Sequence, residues 1–311
     1  MKKLFAFDKK ITYLIDNEVG RHTMIESIKE YIREYEKPKR KAISSRFPIL
    51  IGSAVFTKRL LRNVKNKVSL TKLNREKFFT CVIARHSSLL YRKLGDSDAD
   101  LQKNKVTNLK IAIPELDGLV IPPGKIFSLW DVVGKISKKR GFVEGMLLSN
   151  GKVSKGIGGG LCQLSNFLFW ILLHADVEIV ERHHHSMDVF PDSGRTLPFG
   201  SGATIFDNYL DLKIRNISPN LLQIKLWLTD ICLKGQILSN KPALKKFHIV
   251  EKNHCFIKRN GKYFRYNELY RETFQNGTKI NEEKNFVNFV PVVYPVTDEF
   301  IKEHTYNLIS L

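Results

Sequence analysis

The sequence predicts an α+β protein: a helical N-terminal region packed on an antiparallel sheet, with one buried central helix that starts at Cys162. Three observations predict it. Leu14, Ile25, Ile28 and Ile32 recur at near-helical spacing in the first part of the chain. The stretch Leu161–His174 is apolar almost all round, as a buried helix is. Beyond residue 117 the texture changes to short apolar runs separated by tight-turn dipeptides, the signature of antiparallel strands.

Each element follows in order. The first hundred residues read as helical, with Glu30 and Glu34 alternating with Lys and Arg on the polar side and Lys37–Lys41 as a linker. Gly95-Asp96-Ser97-Asp98 breaks the chain and caps the next helix. Leu101, Val106, Leu109, Ile113 and Leu116 form an amphipathic helix with a kink or stop at Pro114, ended by Asp117-Gly118. Pro123-Gly124 suits the centre of a type II turn, and Asn150-Gly151 a hairpin. After the buried helix, 177–189 and 203–215 read as strands, the second with room for a break at Asp207-Asn208, and Leu222, Ile224, Leu226 and Leu228 alternate strictly as in a half-buried strand. Asn260-Gly261 and Asn276-Gly277 then predict a small meander. The chain divides on this reading into a basic, mainly helical region (1–100), an α+β core (101–235) and a small antiparallel β extension (236–311).

Bulk properties narrow the function classes. A hydrophobic content of 43% belongs to a folded chain, and no apolar run approaches the roughly 18 residues of a membrane span. The opening Met1–Phe7 is cut off by Asp8-Lys9-Lys10 before an apolar signal region develops, which predicts a cytoplasmic protein. Four scattered cysteines without a CxxC pair fit a reduced compartment and exclude a cysteine-rich zinc framework. The net charge is +20, and residues 1–80 hold 20 Lys/Arg against 8 Asp/Glu. That imbalance suits an anionic surface or polymer, although a solvated lysine-rich helix face is the plainer explanation. No nucleic-acid-binding signature accompanies it, so no specific nucleic-acid partner is expected.

The candidate chemistry lies where Gly158-Gly159-Gly160 meets Leu161-Cys162-Gln163, together with His183-His184-His185. Three glycines before a helix imply unusual backbone angles or a close approach. A cysteine in the first helical turn sees free N–H groups and the positive end of the helix dipole, which depress a thiol pKa and can hold an oxyanion. The order helix with Cys, strand with His, next strand with Asp is that of papain- and transglutaminase-like cysteine enzymes. Asp207 and Asp211 are the candidate acids, with Asn208 an alternate. Other readings stand beside this one. The glycines could serve packing against an inert buried cysteine. His183, His185, Cys162 and Asp188 could bind a metal, without any standard ligand spacing. The loop could cradle phosphate, but it lacks both the Gly-Lys-Ser/Thr ending and the GxGxxG spacing of nucleotide sites, and no cofactor is expected. His254-Cys255, in a lysine-rich hairpin, reads as incidental.

Several segments together resemble one family. Asn104–Leu109, Pro122-Pro123-Gly124-Lys125-Ile126-Phe127-Ser128, Gly158–Ser165, Glu181-Arg182 with His185-Ser186, Asp188–Thr204, and Asn208-Tyr209 before Asp211-Leu212 resemble the VanW family. The resemblance is dense over about 80–235, and it is to the short form, without the anchors and further domains of longer relatives. It implies a link to vancomycin-type glycopeptide resistance in bacteria. The family pattern keeps Cys162-Gln163, Arg182 and His185, but not His183 or His184, so His185 becomes the favoured histidine and the metal reading weakens. Asp211 matches a family position, whereas Asp207 does not. The expected function is a thiol hydrolase or acyltransferase on a cell-wall-related amide or ester. Cys162 would be nucleophile, His185 base and Asp211 orienting group, with Gly158, Gly159, Gly160 and Gln163 forming the oxyanion or ligand loop. The alternative is a non-catalytic module in which that loop, Arg182 and Arg195 grip an anionic peptidoglycan-related ligand.

Overall fold

The computed structural model describes residues 18–37, 53, 56–57, 60–62, 74–91, 99–149, 152–189, 191–192, 196–206 and 209–311. Helix α1 (Glu18–Glu36) comes first, then β1 (Cys81–Leu89), α2 (Ala99–Leu116), β2 (Val120–Ile121), β3 (Ile126–Ser128) and α3 (Leu129–Val133). The hairpin β4 (Glu144–Ser149) and β5 (Lys152–Ile157) leads into α4 (Cys162–Leu172). Strands β6 (Val177–Glu181), β7 (Lys213–Asn216), β8 (Leu222–Leu228) and β9 (Cys232–Ser239) follow. The long strands β10 (Lys245–Arg259), β11 (Lys262–Gln275) and β12 (Thr278–Pro291), helix α5 (Asp298–Glu303) and β13 (Asn307–Ser310) complete the order. The fold is α+β, as predicted.

Helix α4 forms the middle of the larger core. Leu164, Phe167, Leu168, Phe169, Trp170, Ile171 and Leu172 are all buried, because the helix is covered on every side. Leu109, Ala112, Ile113 and Leu116 of α2 join it, as do Leu222, Ile224 and Leu226 of β8 and Leu233 and Ile237 of β9. Helix α2 runs through Pro114 rather than stopping there, and Gly118, at φ +78°, turns the chain out of it. Two antiparallel sheets flank this core, in the orders β1-β9-β8-β2 and β3-β7-β6. Residue 235, where the sequence reading ends its core, lies inside β9.

The C-terminal sheet has the order β12-β11-β10-β13, antiparallel except for the β10–β13 pair. Its two hairpin turns are those expected. Asn260 and Gly261 have φ of +49° and +72°, and Asn276 and Gly277 have +51° and +82°, the paired left-handed values that make Asn-Gly favourable. Met24, Ile28 and Ile32, one face of α1, pack onto Cys255, Ile257, Phe264 and Tyr266 of this sheet. The helical N-terminal region therefore does meet an antiparallel sheet through α1.

Three local expectations change. Residues 81–89 are a strand, not part of an all-helical region, and pair along their length with β9. The predicted strand 177–189 ends at Glu181, and the predicted strand 203–215 starts only at Lys213. Residues 203–205 instead lie along α4, bonded by its side chains: Ala203 N–H donates to Asn166 Oδ1 at 2.8 Å, and Ser165 Oγ donates to the Ala203 carbonyl at 2.5 Å. Side chains thus take the bonds a neighbouring strand would have made. Asn150-Gly151, Gly95–Asp98 and most of the Lys37–Lys41 linker lie outside the described residues, although Ser149 and Lys152 pair as a hairpin requires.

Arg265 on β11 ties the 188–192 segment to the C-terminal sheet. It is fully buried, with Nη1 3.0 Å from Asp188 and 3.1 Å from Asp192, while Nη2 meets Asp192 again. Its Nε donates to His254 Nε2 at 2.8 Å, so His254 is a structural acceptor and not incidental. Tyr294 and Tyr306 donate to the same two carboxylates at 3.1 and 2.7 Å. Burial opposes the charged guanidinium, but Asp192 and Asp188 raise its pKa above the usual arginine value. Replacing Arg265 by Met strands two buried carboxylates. The expected loss is about 3–5 kcal/mol in urea unfolding, with Arg265→Lys recovering little because a lysine cannot supply the forked donors.

Candidate functional site

The glycine turn is built by close approach. Gly158 and Gly160 have φ of +77° and +91°, and a Cβ on Gly160 would lie 2.3 Å from the Lys105 side chain. A Cβ on Gly159 would lie 2.1 Å from the carbonyl carbon of Gly145, so the two backbones pass with no room for a side chain. Asn108 of α2 holds the crossing, donating to the Gly159 carbonyl at 2.9 Å and the Val143 carbonyl at 3.1 Å while accepting from Val143 N–H at 2.9 Å. Asn104, one turn earlier, donates to the Glu144 carbonyl at 2.7 Å. The Asn104–Asn108 spacing is a clamp on the hairpin and the turn.

Cys162 opens α4, but its surroundings do not activate it. Burial pushes its thiol pKa up, opposite to the depression expected from a helix start. The S–H donates to the Ile205 carbonyl at 3.8 Å, a bond only the neutral thiol makes. Three first-turn amides are engaged too: Gln163, Leu164 and Ser165 N–H donate to Gly160 or Leu161 carbonyls at 3.0–3.1 Å. Gln163 extends toward β1, where Nε2 donates to Ser88 Oγ at 3.1 Å and the Leu89 carbonyl at 2.7 Å. Its Oε1 is buried without a hydrogen-bond partner, as is Thr204 Oγ1.

The histidine run follows β6 rather than lying on a strand. Thr204 N–H donates to the His183 carbonyl at 2.6 Å, whereas Ala203 and Ile205 turn their polar groups toward α4. Because successive peptide groups of extended chain point to opposite sides, 203–205 has the main chain of the histidine run on one edge and Cys162 on the other. His184 is exposed and His185 half-buried. His183 Nε2 sits 3.1 Å from Glu181.

Glu181 and Arg182 carry the strongest electrostatics here. Arg62 forks onto Glu181 at 2.8 and 3.0 Å and also donates to the Tyr209 carbonyl at 2.7 Å. Burial works to raise the Glu181 pKa, but Arg62, His183 and Lys213 hold it down at about 2. Arg182 is committed to the protein itself. Its Nε donates to the Gly202 carbonyl at 3.0 Å, Nη2 to the Gly200 carbonyl, and its plane lies 4.9 and 4.7 Å from the Phe169 and Phe286 rings. Burial lowers its pKa to about 10. Arg195 and Asp207 lie outside the described residues.

Asp211 is fully buried and positions α3. Its Oδ2 accepts from Ser128 Oγ at 2.6 Å, and Ser128 Oγ in turn caps α3 by accepting from Asp131 N–H at 3.2 Å. Its Oδ1 accepts from Trp130 and Leu212 N–H at 3.2 and 2.8 Å. Burial raises its pKa, only partly offset by those donors. Both oxygens therefore hold backbone and a cap in place. Asp188, the fourth member of the metal alternative, is bound to Arg265 and Tyr294. Among the described residues no three His, Cys, Asp or Glu side chains come together as a metal site.

Sequence reasoning missed Arg62, Asn108, Ser128 and Asn166, which position the turn, the helices and the 203–205 segment. Only Asn108 and Ser128 carried a signal, as parts of quoted motifs whose partners lie 35 to 83 residues away. Two expectations follow. Gly159→Ala should lower Tm by several degrees or more, because neither backbone at the crossing can yield. The stability carried by Glu181, whose pKa falls from 4.5 to about 2, is complete above pH 4.5 and drains as pH falls toward 2. Glu181→Gln should flatten that limb in Tm measurements between pH 2.5 and 6.

The VanW like protein family profile matches residues 104–238, the span holding the turn, α4, Glu181, Arg182 and Asp211. The vancomycin B-type resistance protein VanW of Enterococcus faecalis is 29% identical over 272 residues, covering 83% of this chain and 96% of that protein. The protein YoaR of Bacillus subtilis is 30% identical over 114 residues, 37% of this chain and 36% of its own. No solved structure matches. With the family profile lying on the buried core and the enterococcal protein aligned over most of both lengths, residues 104–238 are a VanW-like domain, in a chain similar over most of its length to a vancomycin resistance protein.

Proposed function

We propose that this chain acts in glycopeptide resistance as a non-catalytic module that binds an anionic peptidoglycan-related ligand in the cytoplasm. The observation that carries this reading is the state of Cys162: a thiol held neutral, bonded to a carbonyl, beside a helix start where the Gln163, Leu164 and Ser165 amides are already engaged. A nucleophile needs the reverse, a thiolate fraction near neutral pH and open donors for the oxyanion. Asp211 points the same way, because orienting His185 would cost it Ser128 or a backbone donor. The excess of 51 Lys/Arg over 31 Asp/Glu supports an anionic ligand. Four unpaired cysteines support a reducing compartment, and no described helix is long and apolar enough to cross a membrane. Arg195 remains the candidate ligand arginine, since Arg182 already serves the Gly200–Gly202 turn.

Iodoacetamide kinetics on the folded protein separate binding from catalysis. Alkylation of Cys162 should stay slow up to pH 8.5, and Cys162→Ser should retain vancomycin resistance in a complemented host. Rapid labelling at pH 7 that depends on His185, with resistance lost in Cys162→Ser, would instead establish Cys162, His185 and Asp211 as a thiol-enzyme triad. For binding, a soluble muramyl-pentapeptide probe in calorimetry should lose at least tenfold in affinity on Arg195→Ala. An unchanged affinity would remove that arginine from the site.

A further inference from the structure

Residues 53, 56–57 and 60–62 are helical, and Thr57 Oγ1 donates to the Ser53 carbonyl one turn back at 2.9 Å. Phe56, Leu60 and Leu61 are 66%, 51% and 64% exposed. Ser53 and Thr57 are exposed as well. Arg62, half-buried, fastens these helical residues to the body through Glu181 and the Tyr209 carbonyl. They are thus held through Arg62 while three large apolar side chains stand in solvent. Nothing in the larger core uses them.

The sequence around these side chains has a charge of one sign. From residue 37 through residue 75 there are twelve Lys/Arg and no Asp or Glu. Lys58, Arg59, Lys65 and Lys67 lie within ten residues of the exposed apolar side chains. A polyanion alone would reward the cations but leave Phe56, Leu60 and Leu61 in water. An apolar protein groove would cover those three but find no use for an unbroken run of positive charge. A bilayer with anionic headgroups satisfies both: apolar side chains enter the headgroup–acyl boundary while cations remain at phosphate level.

We propose that the helical residues within 53–62 dock this protein peripherally on an anionic lipid surface, with Phe56, Leu60 and Leu61 as the inserted side chains. This is independent of how the glycine turn acts. The full chain is tested by sedimentation with vesicles of phosphatidylcholine alone and of phosphatidylcholine with 40% phosphatidylglycerol. Wild type should sediment with the phosphatidylglycerol vesicles and not with the neutral ones. The triple variant Phe56→Ser, Leu60→Ser, Leu61→Ser should lose at least tenfold in partitioning, with Tm within 2 °C of wild type because the three side chains are exposed. Phe56→Trp should blue-shift its added emission when phosphatidylglycerol vesicles are introduced. Equal sedimentation of wild type and the triple variant would overturn the proposal, leaving charge alone as the attraction. So would absence of wild-type sedimentation, or a wild-type dimer that the triple variant dissolves without any vesicle binding.

Discussion

The Arg182 guanidinium lies against both the Phe169 and Phe286 rings, which meet edge to face, and holds the carbonyls of Gly200 and Gly202. Phe169 belongs to the central helix, Phe286 to a strand of the C-terminal sheet, and the two carbonyls to the turn that leads into 203–205. One side chain therefore fixes three parts of the molecule to one another. The charge is tolerated in the interior because the ring faces are negative and the carbonyls accept its protons. The position of 203–205 follows from it, and with that position the fate of Cys162, whose S–H donates to the Ile205 carbonyl.

A second charged pair of anchors repeats the device at longer range. Glu181, the neighbour of Arg182, faces the other way and takes Arg62, His183 and Lys213. Arg265 takes Asp188 and Asp192. The described residues between 181 and 212 hold little regular strand, and several of their backbone groups are satisfied by side chains, Arg182, Asn166, Ser165 and Asn267 among them. Such a segment is costly to alter residue by residue. Much of the family-like sequence in this region is scaffold: it encodes where the chain goes.

This explains what was legible in the sequence and what was not. Periodicity and turn chemistry are local, so the buried helix after Cys162, the alternation of Leu222–Leu228 and the Asn260-Gly261 and Asn276-Gly277 turns could be read directly. Residues 203–205 could not, because their partners are side chains of a helix some forty residues earlier. Cys162 shows the same limit in chemistry. Its place at a helix start was visible, but enclosure decides a thiol's pKa, and enclosure is tertiary. Asp211 looked like an orienting acid from its order in the chain, while its real partners, Ser128 and the Trp130 amide, come from more than 80 residues upstream.

Helix α1 and the sheet that receives it stand at opposite ends of the chain: Glu36 meets Arg259 across 223 residues. During synthesis α1 leaves the ribosome long before β10 and β11 exist, so Met24, Ile28 and Ile32 travel without their partners. At a usual bacterial elongation rate the delay is on the order of ten seconds or more, far longer than a helix takes to form and melt. The contact between α1 and its sheet therefore closes only after the long intervening chain has been made, and until then the apolar face of α1 lacks the cover that sheet provides.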